Sequence, residues 1–193
     1  MSGVAGLRYD ARVAPLRPAP VTGESSPGAS ADLARLARGG DREAFDSLYR
    51  RYAPMVHAIL LSTVSVRETD DLVQDVFLAA WRAIDRLREA EHVGAWLGTI
   101  ARNRGLAARR REPPHAPLPE AVPDRPRGEG EEILALMRAL PEAYRETLAM
   151  RLVEGMTGPE IAAATGLTHG SVRVNLHRGM KMLRETLREK GWT

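Results

Sequence analysis

Apolar residues recur every three or four positions along most of the chain, which is the spacing of one face of an α-helix. The pattern starts near Ala31, stops at Gly39-Gly40, and restarts after Asp41, whose side chain can cap the next helix. It continues through Leu60, and a second strong run follows from Ser65 to Arg88. These runs predict consecutive amphipathic helices in the first half of the chain.

The run from Ser65 to Arg88 predicts a helix with one buried and one polar face, with Thr69 as its N-cap. The expected buried face is Leu72, Val73, Val76, Phe77, Ala80, Ile84 and Leu87. The expected outer face is Asp70, Asp71, Gln74, Asp75 and Arg82. Acids in a first turn suit the helix dipole, but Gln74 and Asp75 lie beyond that turn. The dipole therefore does not account for the whole polar face.

A third helix is predicted from Val93 to Arg111, with Trp96, Leu97, Ile100 and Leu106 turned inward. Its second half carries Arg102, Arg104, Arg109, Arg110 and Arg111 without an acidic residue. Cations near a helix C-terminus are favourable in themselves, so a solvated basic end is one interpretation. The density of arginine favours contact with phosphate.

The remaining segments divide the chain into two domains. Residues 1–30 are rich in Ala, Pro, Gly and Ser without periodicity, which is typical of a disordered tail. Residues 112–130 contain six prolines and predict an extended linker. No stretch alternates with the period of a strand. We therefore expect an all-α protein with helical domains at 31–111 and 131–190.

The segment from Gly158 to Arg188 predicts a short helix, a turn at Gly166 and a longer helix. Val172, Leu176, Met180, Leu183 and Leu187 form the inner stripe of the longer helix. The opposite face carries Ser171, Arg173, Val174, His177, Arg178, Lys181 and Arg184. This arrangement is typical of a helix-turn-helix, whose second helix enters the DNA major groove. A helical hairpin with a solvated basic face is the alternative.

The composition excludes several classes of protein. The chain has 28 Lys and Arg against 25 Asp and Glu, so its net charge of +3 hides separate acidic and basic blocks. The absence of cysteine excludes disulfides and thiolate sites, and the five scattered histidines predict no metal site. A glycine-rich phosphate loop is also missing. We expect a cytoplasmic protein without membrane insertion, cofactor or catalytic residues.

The order of these segments is more specific than any one of them. ETDDLVQDVFLAAWRAI followed by VGAWLGTIARNRGLAARRR resembles the second conserved region of bacterial RNA polymerase sigma factors. LPEAYRETLAMRLVEGMTGPEIAAATGLTHGSVRVNLHRGMKMLR resembles their fourth region. A short chain with both regions and no third-region domain is similar to the extracytoplasmic-function group. The resemblance covers residues 32–188 apart from the linker.

The resemblance implies a function in transcription initiation and a role for each region. Residues implied to dock on the clamp helices of core polymerase are Asp71, Leu72, Gln74, Asp75 and Phe77. Residues implied to melt and hold the minus-ten element are Arg88, Arg102, Asn103, Arg104, Arg109 and Arg110. Exposed carboxylates suit a basic partner helix, and cations suit an opened DNA strand.

The fourth region implies recognition of the minus-thirty-five element, with the β flap of polymerase as a further partner. The residues that match the reading helix are Ser171, Arg173, Val174, His177, Arg178 and Lys181. The sequence departs from the family pattern in three ways: Val174 replaces a small polar residue, Asn175 a basic one, and Gly179-Met180 the usual Ala-Arg. These departures predict a weaker grip on phosphate or a different DNA element.

Two other functions remain open from sequence alone. A stand-alone helix-turn-helix regulator would bind DNA without polymerase, although it explains the acidic face at residues 71–75 poorly. A sigma-like adaptor would bind polymerase without opening DNA. The resemblance also implies an anti-sigma factor as a partner.

Overall fold

The computed structural model describes residues 27–111 and 129–192, in which all regular structure is helical. This confirms the all-α prediction. The helices are α1 (Pro27–Arg38), α2 (Arg42–Leu61), α3 (Val66–Ala83), α4 (Val93–Arg111), α5 (Glu129–Arg138), α6 (Glu142–Leu152), α7 (Gly158–Thr165) and α8 (His169–Glu189). Two short 3-10 turns, Ile84–Arg86 and Ala90–His92, connect α3 to α4.

Helix α2 is the centre of the first domain, because α1, α3 and α4 all pack against it. Asp41 caps it as predicted, since its carboxylate accepts a 3.0 Å hydrogen bond from the amide of Ala44. Aromatic rings join α2 to α3: the Phe45 and Trp81 ring centroids are 4.9 Å apart. Edge contacts of this kind add to the stabilisation that burial of the rings provides.

The first helix of each domain begins a few residues before the predicted start of that domain. Helix α1 begins at Pro27, so residues 27–30 are helical rather than part of a tail. Ser30 is buried and accepts a 2.8 Å hydrogen bond from Arg51, which fixes this first turn against α2. Helix α5 likewise begins at Glu129. The rest of the predicted tail and linker, residues 1–26 and 112–128, lies outside the described residues.

Two side-chain predictions in the first domain were also wrong, those for Thr69 and Leu106. Ser65 caps α3. Its amide and its hydroxyl both donate hydrogen bonds to the carboxylate of Glu68, at 3.4 and 2.6 Å. Thr69 is instead fully buried, and its hydroxyl donates to the carbonyl of Ser65. Leu72 is half-buried and packs against the core, as its place on the predicted inner face requires. Leu106 is exposed because Gly105 takes the inward position, facing Thr63.

The second domain is built from α5 to α8 around a capped helix-turn-helix. Thr157 and Glu160 form a reciprocal capping box at the start of α7, and Gly166 ends it with φ 76°. This positive φ is the backbone turn that the sequence predicts at Gly166. Thr168 then caps α8 by accepting a 3.1 Å hydrogen bond from the amide of Ser171.

The two domains contact each other directly through α6 and α7. Helix α6 lies between α2 of the first domain and α8 of the second, and residues 146–150 of α6 are all buried. A helix that is buried around its whole circumference is covered on more than one side. Helix α7 contacts both α2 and α4.

Candidate functional site

The first candidate surface is the polar face of α3. Asp71, Gln74 and Asp75 are all exposed, and their spacing places them on one side of the helix. Leu78 follows on the same side with 47% of its surface exposed. Acidic and amide groups beside one exposed leucine form a surface that suits a partner with basic and apolar side chains.

Phe77 does not belong to this surface. It is only 4% exposed, and its ring lies 4.5 Å from that of Tyr49, centroid to centroid. The predicted direct contact of Phe77 with a partner is therefore wrong, because its side chain fills the core between α2 and α3. Sequence analysis missed Leu78 as a surface residue. The available signal was that Leu78 shares the helical phase of Asp71 and Gln74 rather than that of the apolar stripe.

The second candidate surface is the basic end of α4. Asn103, Arg104, Arg109 and Arg110 of the predicted set are exposed there. Arg88 is exposed too, but it lies between the two 3-10 turns before α4 rather than at this end of the helix. Arg102 stands apart from them, because its Nε and Nη2 atoms lie 2.8 Å from the two carboxylate oxygens of Glu146 on α6. This hydrogen bond raises the pKa of Arg102 by more than burial lowers it, so Arg102 remains a cation. Its guanidinium is occupied by the second domain.

The third candidate surface is the outer face of α8. All six residues predicted to read DNA are exposed: Ser171, Arg173, Val174, His177, Arg178 and Lys181. Arg173, Val174, His177 and Arg178 together line one open depression. The two arginines therefore border the same surface, although they lie five residues apart. Side chains around this depression can contact both base edges and phosphates of a bound DNA.

The described residues contain no candidate metal site and no candidate membrane-spanning helix. Within residues 27–111 and 129–192, no group of three His, Asp or Glu side chains could hold a metal ion. None of the helices there is long and apolar enough to cross a bilayer.

Comparison with known proteins identifies the family that each domain matches. Residues 48–113 match the family Sigma-70 region 2, and residues 130–183 match Sigma-70, region 4. The chain is 32% identical over 163 residues to the RNA polymerase sigma factor CarQ of Myxococcus xanthus, covering 79% of this chain and 94% of CarQ. The chain belongs to the extracytoplasmic-function sigma factors of RNA polymerase. Like the rest of this family, it is an alternative sigma factor that directs transcription initiation.

Two further relatives agree with this assignment. The extracytoplasmic-function sigma factor SigM of Mycobacterium tuberculosis is 30% identical over 165 residues, which cover 82% of this chain and 84% of SigM. Among solved structures, CnrH in complex with the cytosolic domain of CnrY is similar, with a TM-score of 0.57 and 27% identity. That match covers 83% of this chain and 98% of CnrH.

Proposed function

We propose that this sigma factor binds core RNA polymerase through the outer face of α3 and promoter DNA through α4 and α8. The exposed row Asp71, Gln74, Asp75 and Leu78 carries this proposal. A stand-alone DNA-binding regulator has no use for such a face. The basic end of α4 then holds the opened minus-ten element, and α8 reads the minus-thirty-five element in the major groove.

We further infer that the protein acts in the cytoplasm and catalyses no reaction of its own. Its relatives are sigma factors, which are not enzymes. An anti-sigma factor is the expected regulatory partner. The complex of CnrH with the cytosolic domain of CnrY supports this part of the proposal.

Run-off transcription tests the proposal against its two alternatives. Core polymerase with this protein should produce defined transcripts from genomic fragments, whereas core polymerase alone should not. A protein that is retained on core polymerase but yields no transcript would be an adaptor without melting activity. A protein that binds DNA and is not retained on core polymerase would be a stand-alone regulator.

Arg173 and Arg178 should contribute differently to recognition of the upstream element. Arg173 lies near the N-terminus of α8, the end that enters the groove, so we expect it to contact base edges. Arg173→Ala should cost roughly 1–3 kcal/mol on the matched element and relax sequence preference. Arg178→Ala should weaken binding to all sequences and reduce the salt slope by about one unit, as loss of one phosphate contact does.

The measurement is binding of the full chain to matched and scrambled upstream duplexes across a salt series. Arg188→Ala is the control, because Arg188 is an exposed arginine in the last turn of the same helix. Equal loss of sequence preference from Arg173→Ala and Arg178→Ala would refute this division of roles and leave the polymerase proposal intact.

A further inference from the structure

An apolar side chain stands in the middle of the outer face of α8. Val174 has 42% of its surface exposed. It follows the buried Val172 by two positions, or about 200° around the helix, so it points almost directly away from the core. The exposed Lys181, seven positions later, continues the same outward line. Val174 therefore faces the molecule that this side of α8 binds.

The residues around Val174 combine one apolar contact with polar and charged groups. Arg173, His177 and Arg178 line the open depression together with Val174, which alone among these four residues is apolar. His177 and Arg178 follow Val174 by three and four positions, so they are its neighbours on the helix surface. An arginine can cover apolar surface with its methylene stem while its charged end stays in water. The depression can therefore hold a small apolar group beside an anionic backbone.

The first turn of α8 leaves Val174 open on its N-terminal side. Helical side chains lean toward the helix N-terminus, so Val174 lies over the turn that contains Gly170, which has no side chain. The hydroxyl of Ser171 lies 2.9 Å from that of Thr168, and the amide of Ser171 donates to the same Thr168 oxygen at 3.1 Å. Ser171 is thus engaged in the helix cap. Val174 is the first side chain on the outward line of α8.

The major groove of DNA offers one good partner for such a side chain. Valine has no side-chain donor or acceptor, so it cannot read a base by hydrogen bonds. Of the four base edges in the major groove, only that of thymine carries an apolar group, the methyl on C5. The other base edges present polar atoms, which valine would strip of water without replacing their hydrogen bonds. A valine at this position therefore favours thymine and disfavours the other three bases.

We propose that Val174 selects a thymine in the upstream DNA element by contact with the C5-methyl group of that base. The inference rests on the proposed function, because it takes α8 as the helix that reads the minus-thirty-five element. It deepens that function by naming a base that the element carries. The contact is apolar, so it adds to the hydrogen bonds that Arg173 and Arg178 make with bases or phosphates and does not depend on them.

Replacing thymine by deoxyuridine tests this contact at the level of a single methyl group. The two bases pair with adenine in the same way and differ only in the C5-methyl. The full chain first selects its upstream element from a pool of randomised duplexes, and each thymine of that element is then replaced in turn. One of these replacements should weaken binding by about fourfold, which is the effect of losing one buried methyl-sized group.

Val174→Ala assigns that effect to the valine. In this variant the penalty for deoxyuridine at the sensitive position should disappear, because the protein side of the contact is already gone. Val153→Ala is the matched control, since Val153 is an exposed valine at the end of α6 rather than on α8. It should retain the full penalty. Circular dichroism checks that both variants remain folded.

5-Methylcytosine separates recognition of the methyl group from recognition of the rest of thymine. With cytosine at the sensitive position, adding the C5-methyl should tighten binding by the wild-type protein about fourfold and leave binding by Val174→Ala unchanged. A selected element without thymine, or equal deoxyuridine penalties in the wild-type protein and Val174→Ala at every thymine, would overturn the contact. A pool without any enriched sequence would overturn both the contact and the reading role of α8. If the contact is found but the element supports no run-off transcription, the contact stands and the proposed function fails.

Discussion

Replacing Leu148 by alanine should lower the free energy of unfolding of the second domain by about 2–5 kcal/mol. Leu148 is completely buried on α6, where its side chain faces Gly179 of α8. Removing it leaves a cavity between the helices that position the DNA-reading face. Leu152→Ala is the control, because Leu152 lies on the same helix and is 48% exposed. Urea denaturation of the full chain, monitored by circular dichroism, measures the free energy of unfolding of both variants.

A substitution at Gly179 tests the same packing between α6 and α8 in a second way. A Cβ atom there would lie 3.0 Å from Cδ1 of Leu148 and 3.2 Å from Cβ of Tyr144, so Gly179→Ala is tight in the wild-type protein. Leu148→Ala removes the closest of these contacts and leaves the one with Tyr144, so Gly179→Ala should be less destabilising in the Leu148→Ala background than in the wild-type protein. Strictly additive effects would contradict the packing described here.

This packing accounts for one of the departures that the sequence resemblance implies. The resemblance leads to the expectation of alanine at position 179, and the structure places Leu148 and Tyr144 against the glycine that stands there. A smaller residue on α8 is thus matched by close approach of α6. The exposed Val174, by contrast, lies on the DNA-reading face, where it lines the depression between Arg173 and Arg178.

Features set by neighbouring residues could be predicted from the sequence. Helical periodicity gave the fold class and the outer face of α3, and Asp41 and Gly166 marked helix ends through local backbone chemistry. Thr69 was mistaken for a cap because Asp70 and Asp71 follow it, and acids are typical of the first turn of a helix. The spacing of Ser65 and Glu68 is itself the sequence signature of a capping box, and the hydrogen bonds between the two residues show that this nearer signal is the correct one.

Features set by contacts between distant residues could not be predicted. Arg102 and Glu146 lie 44 positions apart, and no local pattern indicates that a buried carboxylate on α6 binds the arginine on α4. The same holds for Gly94, whose importance depends on the approach of α7. The sequence resemblance assigned Arg102 to DNA, whereas the structure shows it engaged within the protein.

Reversing the charge of Asp75 should weaken binding to core polymerase by about 2 kcal/mol or more, roughly 30-fold, because a like charge then faces the basic partner helix. Asp75 is exposed on α3, so Asp75→Lys should leave the fold intact. Leu78→Ala should weaken binding to a comparable extent, since an apolar side chain at the centre of an interface is a common hot spot. Retention of core polymerase on the immobilised sigma factor measures the binding of each variant.

Asp46→Lys is the matched control, because Asp46 is an exposed aspartate on α2 rather than on the α3 face. It should bind core polymerase like the wild-type protein, which separates a local effect of Asp75 from a change in net charge. Circular dichroism checks that every variant remains folded. Wild-type retention of both Asp75→Lys and Leu78→Ala would exclude the α3 face as the docking surface, because the two changes remove its charge and its apolar contact independently.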